Sequence, residues 1–306
     1  MAVSNSLTKQ QKKPTFSNFI TSEGIKAKIN QMVGSKDGQR FITSIISAVT
    51  VNPALSECDQ PSILSAAMLG ESLKLSPSPQ LGQYYMVPYN DKKRGCKVAQ
   101  FQLGYKGYIQ LAIRSGYYKK LNVVSIKEGE LVKYDPLEEV IEVELIEDDA
   151  LREETETIGY YAMFEYQNGF KKAMYWSKEK MLAHADKYSQ AFSRDTYEKL
   201  IHGEISERDQ WKYSSFWYKD FDGMAFKTMI RQLISKWGIM SIDMQKAFVS
   251  DMGVIDDSGN VDYVDNRDEY GSSIVEDDRE KISVEAVSDE PDDLDELDSL
   301  FEGGAQ

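Results

Sequence analysis

The sequence predicts an α+β fold, with an antiparallel β-sheet core, a crossover helix, and helices packed before and after the sheet. Two changes of hydrophobic period predict this fold. Apolar residues recur at helical spacing over residues 18–75, alternate with a period of two through most of residues 83–177, and return to helical spacing from Lys178. The strands are joined partly by hairpins and once by a helix, so we expect one antiparallel sheet.

The helices before the sheet follow from apolar spacing and glycine or proline breaks. Residues 18–51 are predicted to form two helices, separated by Gly34 and Gly38. A third helix opens at Pro61 or Ser62 and runs through SILSAAMLGESLKL. It ends before SPSPQLG, because proline lacks the N–H that continues a helical hydrogen-bond ladder. The N-terminal part of the core is therefore predicted to be helical.

The strand region begins with a hairpin. QYYMVPYN and KVAQFQL flank DKKRG, which predicts two strands and a basic tip. GYKGYIQLAIRSG follows as a helix that ends at Gly116, a residue typical of a helix C-terminus. The remaining strand candidates are KKLNVVSIKE, EEVIEVELI, TIGYYAMFEYQ and FKKAMYWS, with the acidic EDDALREETET as an exposed connection between the middle two. The clearest later helix is FDGMAFKTMIRQLISKW.

The two ends of the chain differ from this core in composition. Residues 1–18 are polar and basic, whereas residues 251–306 are rich in Asp, Glu, Ser and Gly. Segments of this kind bury too little apolar surface to offset the entropy of folding. We therefore predict a disordered basic N-terminus at 1–18, a binding core at 19–250, and a disordered acidic tail at 251–306.

The charge is as segregated as the composition. Residues 251–306 hold 20 Asp and Glu against three Lys and Arg, a balance of −17, so residues 1–250 carry +3 of the total of −14. Within them, residues 85–127 contain nine basic residues and one acidic residue, Asp91. This local excess fits a surface that binds a polyanion, and a solvated basic surface is the alternative.

Composition also limits the cellular setting. No stretch approaches the roughly 18–20 apolar residues of a membrane span. The N-terminus lacks the apolar segment of a secretory signal. The only cysteines, Cys58 and Cys96, fit a reducing compartment and provide no disulfide framework. We therefore expect a cytoplasmic protein with no membrane partner.

Motifs for bond chemistry are missing from the sequence. It contains no G-x-x-x-x-G-K-[ST] loop for ATP hydrolysis, and GSKDG at 34–38 is too short to replace one. His184 and His202, with two distant cysteines, give no zinc-ligand pattern. Asp91 belongs to a D-x-K arrangement, but at a hairpin tip, a poor place to desolvate a metal ion. We predict no catalytic residues, no metal site and no enzyme activity.

Binding chemistry is concentrated in AQFQLGYKGYIQLAIRSG, residues 99–116. We expect Gly104 to permit an unusual φ at the strand exit, and Gly107 to let a backbone approach the first turn of the helix. That turn presents N–H groups and the positive end of a helix dipole, which favour anions, and Lys106 adds a charge. The G-x-x-G form also resembles the loop of KH domains, where it joins two helices rather than following a strand.

The side chains of the same stretch divide between binding and packing. Gln100 and Gln102 alternate with Phe101 and so share one face of the strand. Tyr105 is placed to stack on bases or sugars. The core is expected to take Phe101 and the side chains at the i, i+3 and i+4 spacing of a packed helix face, which are Tyr108, Leu111 and Ala112.

A second candidate surface lies at residues 208–236. RDQWKYSSFWYKD interleaves basic and aromatic residues, which is typical of single-strand binding but also of aromatics that cover a sheet. In the helix that follows, Lys227 and Arg231 lie four residues apart and share a face. An apolar stripe on that helix is formed by Phe226, Met229, Ile230, Leu233 and Trp237.

Three motifs together indicate a family. ILSAAMLGESLKLSPSPQLGQYYMVPYN, AQFQLGYKGYIQLAIRSGYYKKLNVVSIKEGE and DGMAFKTMIRQL occur in this order and cover most of residues 40–240. In this combination the chain resembles the RecT family of phage recombinases, relatives of the Redβ annealing proteins. The resemblance implies an ATP-independent protein that binds single-stranded DNA, pairs complementary strands and assembles as rings or helical filaments on the annealing product. It also implies a phage or prophage origin, a bacterial host cytoplasm, and a partner exonuclease that supplies the single strand.

Strand annealing restricts which parts of the DNA the protein can contact. Base edges must stay free to test complementarity, so contacts should fall on phosphates and sugars. The residues predicted to bind DNA are Lys97, Gln100, Gln102, Tyr105, Lys106, Gly107, Arg114, Lys119, Lys120, Phe216, Trp217, Lys227 and Arg231. Tyr105 and either Phe216 or Trp217 are the stacking candidates. No cofactor is expected, with Mg²⁺ only as a modulator of DNA binding.

Two other functions remain open from the sequence, a metal-dependent nuclease and a passive single-strand binder of the OB or KH type. The tail has alternatives as well. Its last segment, DDLDELDSLF, would place Leu294, Leu297, Leu300 and Phe301 on one face of a short helix that docks on a partner, including the host single-strand-binding protein. Alternatively, the tail keeps the protein in solution or shields the basic groove before DNA arrives.

Overall fold

The computed structural model describes residues 14–92, 94–189, 191–256 and 259–262, and it confirms the α+β class. Helices come first along the chain, then strands with two helices among them, then helices again and a last short hairpin. This order follows the two changes of hydrophobic period in the sequence. Within the described ranges, no helix combines the length and the apolar character that a membrane crossing requires.

The N-terminal helices are α1 (Phe16–Ile20), α2 (Glu23–Val33), α3 (Ser35–Val51) and α4 (Gln60–Ser72), with a 3-10 turn at Pro53–Glu57 before α4. The pattern over residues 18–51 predicted two helices, and the structure has three. The break between α1 and α2 falls at Thr21 and Ser22, whose hydroxyls donate to carbonyls of the preceding turn. Gly34, with a φ of +94°, ends α2, whereas Gly38 lies inside α3.

The predicted hairpin and the helix after it are confirmed. β1 (Tyr84–Asp91) and β2 (Cys96–Leu103) pair antiparallel along their full length. α5 (Tyr105–Ser115) follows directly and ends at Gly116. The φ of Gly116 is +74°, in the left-handed region that favours glycine. The hairpin packs against α4, which fixes it to the N-terminal helices.

A separate three-stranded sheet forms the other β region. Its strands are β3 (Tyr118–Lys127), β6 (Thr157–Tyr166) and β7 (Lys171–Ser177), antiparallel in the order β3-β6-β7. Between β3 and β6 lies a small hairpin of β4 (Leu131–Asp135) and β5 (Val140–Val143). The acidic connection predicted after it contains the short helix α6 (Asp149–Glu154).

The prediction of one antiparallel sheet is wrong. In the described part of the chain the strands form four separate sheets, because α5 carries the chain from β2 onto a different sheet. Alternation along a strand reports which side chains share a face, but it contains no information on which strands pair. β4 was not predicted. Its side chains are largely exposed, so its sequence carries little apolar alternation.

The C-terminal helices are α7 (Lys178–Tyr188), α8 (Arg194–Ile201), α9 (Phe216–Lys219), α10 (Phe221–Trp237) and α11 (Ile242–Ser250). α10 is the central element, since it packs on α5 and on all three strands of the β3-β6-β7 sheet. Ala225, Met229, Ile230 and Leu233 are fully buried there. α10 therefore joins the sheet to the helix that follows the hairpin.

The fold continues past the boundary predicted at residue 250. Asp251 is fully buried, and β8 (Val254–Ile255) pairs with β9 (Val261–Asp262). The Phe101 N–H donates to the Gly253 carbonyl at 2.9 Å, and the Met252 N–H donates to the Phe101 carbonyl at 2.9 Å. Residues 1–13 and 263–306, with the predicted partner-docking segment, lie outside the described residues.

Candidate nucleic-acid interface

A groove runs between the β1–β2 hairpin and helices α7 and α10. Tyr188, Ser189, Ala191, residues 214–217 and Lys219 also line it, and its volume is about 390 Å³. Six of the predicted DNA-binding residues line it: Gln100, Gln102, Phe216, Trp217, Lys227 and Arg231. The two candidate surfaces, one hundred residues apart in sequence, therefore meet in one groove. A smaller cavity that shares Gln102, Phe216 and Lys227 with the groove extends it to Tyr105.

The floor of the groove contains two buried cations and one buried carboxylate. The ammonium of Lys227 lies 2.9 Å from Oδ1 of Asp251, and Nη1 of Arg231 lies 3.3 Å from Oδ2 of the same carboxylate. Relative exposure is 6% for Lys227, 7% for Arg231 and 0% for Asp251. Both cations line the groove, and both pair with the same carboxylate.

Two neutral groups complete this buried cluster. The Leu103 N–H donates to Oδ1 of Asp251 at 2.8 Å, and the Tyr108 hydroxyl donates to Oδ2 at 2.9 Å. Nη1 of Arg231 also donates to the Tyr108 oxygen at 2.9 Å. Burial holds the pKa of Tyr108 well above its usual value, so this phenol stays a neutral hydrogen-bond donor. As predicted, the ring of Tyr108 is part of the core.

Lys227 and Arg231 were predicted as DNA contacts on a face of α10 apart from its apolar stripe, and the structure buries both of them. The i, i+4 spacing does bring Lys227 and Arg231 together, but toward Asp251 rather than toward open solvent. A buried cation needs a counter-charge, and the carboxylate after α11 provides it. Contact of Lys227 and Arg231 with DNA stays a prediction. Because both residues line the groove, DNA would have to enter it to reach them.

The two glutamines share a face of β2 as predicted, but they are not equally accessible. Gln100 is 1% exposed, and its Nε2 donates to the Met252 carbonyl at 2.5 Å. Gln102 is partly exposed, and its Nε2 donates to Oε1 of Gln100 at 2.8 Å. Gln100 therefore ties β2 to the chain after α11, and Gln102 is the member of the pair that is open to a ligand.

The adjacent aromatics of α9 have different environments. Trp217 is 6% exposed and packs on Phe192 and Phe221, with ring centroids 5.9 and 5.3 Å away. Phe216 is 36% exposed and lies 5.2 Å from the ring of Tyr85. The sequence left open which of the two stacks on DNA, and exposure favours Phe216, since Trp217 is a core residue.

The glycines around the start of α5 serve the chain's own packing. Gly104 has a φ of −82°, so the expected unusual φ is absent. A Cβ on Gly104 would lie 2.1 Å from the Gly82 carbonyl oxygen, and one on Gly107 would lie 2.1 Å from that of Gln83. A backbone does approach the first turn of α5, as predicted, but it belongs to the loop before β1.

Two predicted residues lie beside this turn. Tyr105 is partly buried and packs edge-on against Phe226, with ring centroids 5.7 Å apart. Lys106 is exposed, and its ammonium lies 5.9 Å from the centroid of the Tyr105 ring. Lys106 thus extends the positive surface beyond the end of the groove that Tyr105 lines.

The structure does not bring the other predicted cations into the groove. Lys97 pairs with Glu57 at 2.5 Å, and Lys119 and Lys120 both pair with Glu165, at 2.6 and 3.4 Å. The hydrogen bond and charge of Lys119 help hold the pKa of Glu165 below its usual value. Arg114 donates to the Leu73 carbonyl at 2.6 Å and so caps the end of α4. Binding of DNA by these four stays a prediction.

A model of the RecT family matches residues 39–263, about three quarters of the chain. The chain belongs to the RecT family. It is 38% identical over 242 residues to the uncharacterized protein YqaK of Bacillus subtilis strain 168, covering 79% of this chain and 74% of that protein. It is also 34% identical over 99 residues to protein RecT of Escherichia coli K12, covering 32% of this chain and 37% of that protein.

RecT-family membership confirms the resemblance carried by the three motifs. It gives the chain a general role in DNA binding, recombination and strand annealing, the work of annealing proteins rather than of classical enzymes. Among the described residues, no three His, Cys, Asp or Glu side chains are grouped so that they could hold a metal ion.

The sequence analysis missed Lys219 on the groove wall and the buried Asp251 that pairs with two groove residues. Lys219 is exposed on the groove wall, and it was noticed only as part of a basic and aromatic run. Asp251 was assigned to the tail, where it was one acid among many. A signal was present for Asp251, because Lys227 and Arg231 interrupt a helix whose other faces are mainly apolar, and two such cations require a buried acid.

Proposed function

We propose that this protein anneals complementary DNA strands without ATP, and that the groove between the β1–β2 hairpin and α10 holds the backbone of single-stranded DNA. The observation that carries the proposal is that six residues from two predicted surfaces meet in this groove. Lys227 and Arg231 line the groove, and its wall presents Lys219 and the exposed ring of Phe216. RecT-family membership supplies the general role that the groove would serve.

Pairing two strands requires that their phosphates approach each other. Cations in the groove lower that repulsion and release the counterions of the bound strand, so affinity should fall steeply with salt. Contacts with phosphates and sugars carry no sequence preference and leave base edges free to pair. A shallow wall with one exposed aromatic ring suits this task, because stacking is tolerant of sequence.

The groove of one protomer reaches only a short length of strand. We therefore propose that copies assemble along the DNA as a ring or helical filament, since linking many weak sites raises the overall affinity. A phage exonuclease would supply the single strand. The host single-strand-binding protein is a proposed partner of residues 292–301, whose acidic and leucine-rich sequence would dock on it.

The decisive experiment mixes complementary oligonucleotides with the full chain in the absence of ATP and follows the loss of single-strand signal. Acceleration over the protein-free rate supports annealing. Protection of each strand with slower pairing would instead identify a passive binder. End-labelled DNA incubated with Mg²⁺ is the third arm, where progressive shortening of the label would identify a nuclease.

Lys219→Gln tests the groove itself. Because Lys219 is exposed on its wall, its loss should weaken single-strand binding several-fold and reduce the slope of log affinity against log salt by about 1. Lys199→Gln is the matched control, since Lys199 is exposed on α8 and does not line the groove. Equal effects of the two substitutions would refute the placement of DNA in this groove.

A further inference from the structure

The groove continues onto the surface along two of the helices that line it. His184 of α7 and Gln232 of α10 are both groove residues. Lys180 precedes His184 by four residues, and residues four apart lie on the same face of a helix. In the same way, Lys236 follows Gln232 by four residues on α10. Both lysines are exposed, so each helix carries a cation one turn beyond the groove.

These two lysines lie close together, and neither pairs with an acidic side chain in the described part of the chain. Partial burial lowers the pKa of Lys180, and the nearby charge of Lys236 lowers it further. Lys180 also lies in the first turn of α7, where the positive end of the helix dipole disfavours a cation. The nearby Lys178, by contrast, pairs with Glu156 at 3.0 Å. Two like charges near each other repel, and an anion bound between them removes that repulsion.

The ring of Trp176 joins the groove to Lys180. Its centroid lies 5.3 Å from that of the His184 ring and 4.4 Å from the ammonium of Lys180. Trp176 belongs to β7 and is only 9% exposed. It therefore supports Lys180 beside the groove and contributes little surface of its own.

Trp237 adds an exposed aromatic ring beside Lys236. It is the last residue of α10 and is 52% exposed. The ammonium of Lys172 lies 3.7 Å from the ring centroid and holds the ring in place. Lys172 itself pairs with Glu139, so its charge is already balanced. We refer to Lys180, Lys236 and Trp237 as the basic strip.

We propose that the basic strip is a second contact for single-stranded DNA, which binds the same strand after it leaves the groove. The proposal rests on the proposed function of the groove. Lys180 and Lys236 take backbone phosphates, and the ring of Trp237 stacks on a base without preference for sequence. One helical turn rises about 5.4 Å and a nucleotide of a duplex strand about 3.4 Å, so the strand reaches the strip within about two nucleotides. Two adjacent sites on one strand bind it more tightly than either site alone.

The first test measures binding of a fluorescent oligo(dT) of about 16 nucleotides to the full chain by anisotropy, over a series of salt concentrations. Lys180→Gln combined with Lys236→Gln should weaken binding about tenfold. It should also lower the slope of log affinity against log salt by about 2, one for each lost phosphate contact. The control combines Lys133→Gln with Lys199→Gln, two exposed lysines outside the groove and the strip, and should bind as the wild type does.

Tryptophan fluorescence gives an independent measurement of the strip. Trp237→Phe should reduce the quenching of tryptophan emission by saturating oligo(dT), because it removes the ring that stacks on a base. Trp211→Phe is the matched control, since Trp211 is 75% exposed and does not line the groove. Each variant loses one of four tryptophans. Equal quenching in the two variants would overturn the stacking of DNA on Trp237.

Two further outcomes overturn the proposal. Equal affinities of the two double lysine variants would show that DNA does not reach the strip. Oligo(dT) contains no complementary strand, so wild-type binding of it together with slower annealing of complementary oligonucleotides would show that the strip holds the second strand instead. Failure of the groove function gives a different result. In that case Lys219→Gln binds like its control, whether or not the strip variant binds weakly.

Discussion

Asp251 beneath the groove and Glu130 beside the β4–β5 hairpin are both fully buried carboxylates, and they differ in the number of cations that each one pairs with. Glu130 has one cation, Arg152, and two backbone N–H groups, so its cluster is neutral. Asp251 pairs with two cations, both of which line the groove. A neutral buried pair fixes the β4–β5 hairpin and α6 in place. The cluster around Asp251 instead ties β2 and α5 to the two cations of α10 that line the groove.

Removing each carboxylate gives the largest expected effect on stability. Asp251→Ala should lower the free energy of unfolding by about 3–5 kcal/mol, because two buried cations lose the carboxylate that they share. Glu130→Ala should lower it by about 1–3 kcal/mol, since the side chain of Arg152 is a quarter exposed and can be hydrated. Urea unfolding measures both values. A larger loss for Glu130→Ala would contradict the contrast between the clusters.

The neighbouring aromatics of α9 sharpen where the core ends and the binding wall begins. Trp217→Ala should lower the free energy of unfolding by about 3–5 kcal/mol, because it leaves a cavity among Phe192 and Phe221. Phe216→Ala should change stability little and weaken binding of a single strand by about 1–3 kcal/mol if its ring stacks on a base. The same urea and anisotropy measurements separate them, and normal DNA binding by folded Phe216→Ala would remove Phe216 from the interface.

The smallest expected effect is a pH dependence at Glu130. Burial raises the pKa of this carboxyl, but the hydrogen bonds from Arg152 and two backbone N–H groups outweigh burial and hold the pKa below its usual value. A group with a lowered folded-state pKa stabilises the protein above its unfolded pKa, and this stability is lost as the pH falls through the folded value. Urea unfolding from neutral pH to below the ordinary glutamate pKa, about 4.3, should therefore show a decline that Glu130→Gln reduces. An equal decline in both proteins would show that titratable groups other than Glu130 cause the loss of stability.

The sequence predicted most of the elements because their signals are local. The β1–β2 hairpin, α5 and its end at Gly116 follow from alternation, apolar spacing and one left-handed glycine. Strand pairing was not predictable in the same way, because the partition into separate sheets depends on where α5 places β3. Period alone reports the faces of strands and not their neighbours.

The sequence predicted which residues belong to the candidate site better than it predicted how they are arranged. Residue type and spacing identified Lys227, Arg231 and Phe216, all of which line the groove. The sequence did not reveal that Lys227 and Arg231 lie beneath the surface, since that depends on a carboxylate twenty or more residues away that α11 carries to them. Composition misled at Asp251, because an acid beside an acidic tail has the same neighbours in sequence whether it is solvated or buried.

The contacts of Asp251 also set an order of events during synthesis of the chain. Its partners Leu103 and Tyr108 precede it by 148 and 143 residues. A chain that is synthesised from its N-terminus folds the part that has already emerged. The hairpin and α5 are therefore made long before residues 251–253, and their contacts with these residues form last. A nascent chain that ends before residue 251 would contain the three motifs of the family but would lack the contacts that residues 251–253 make with β2 and α5.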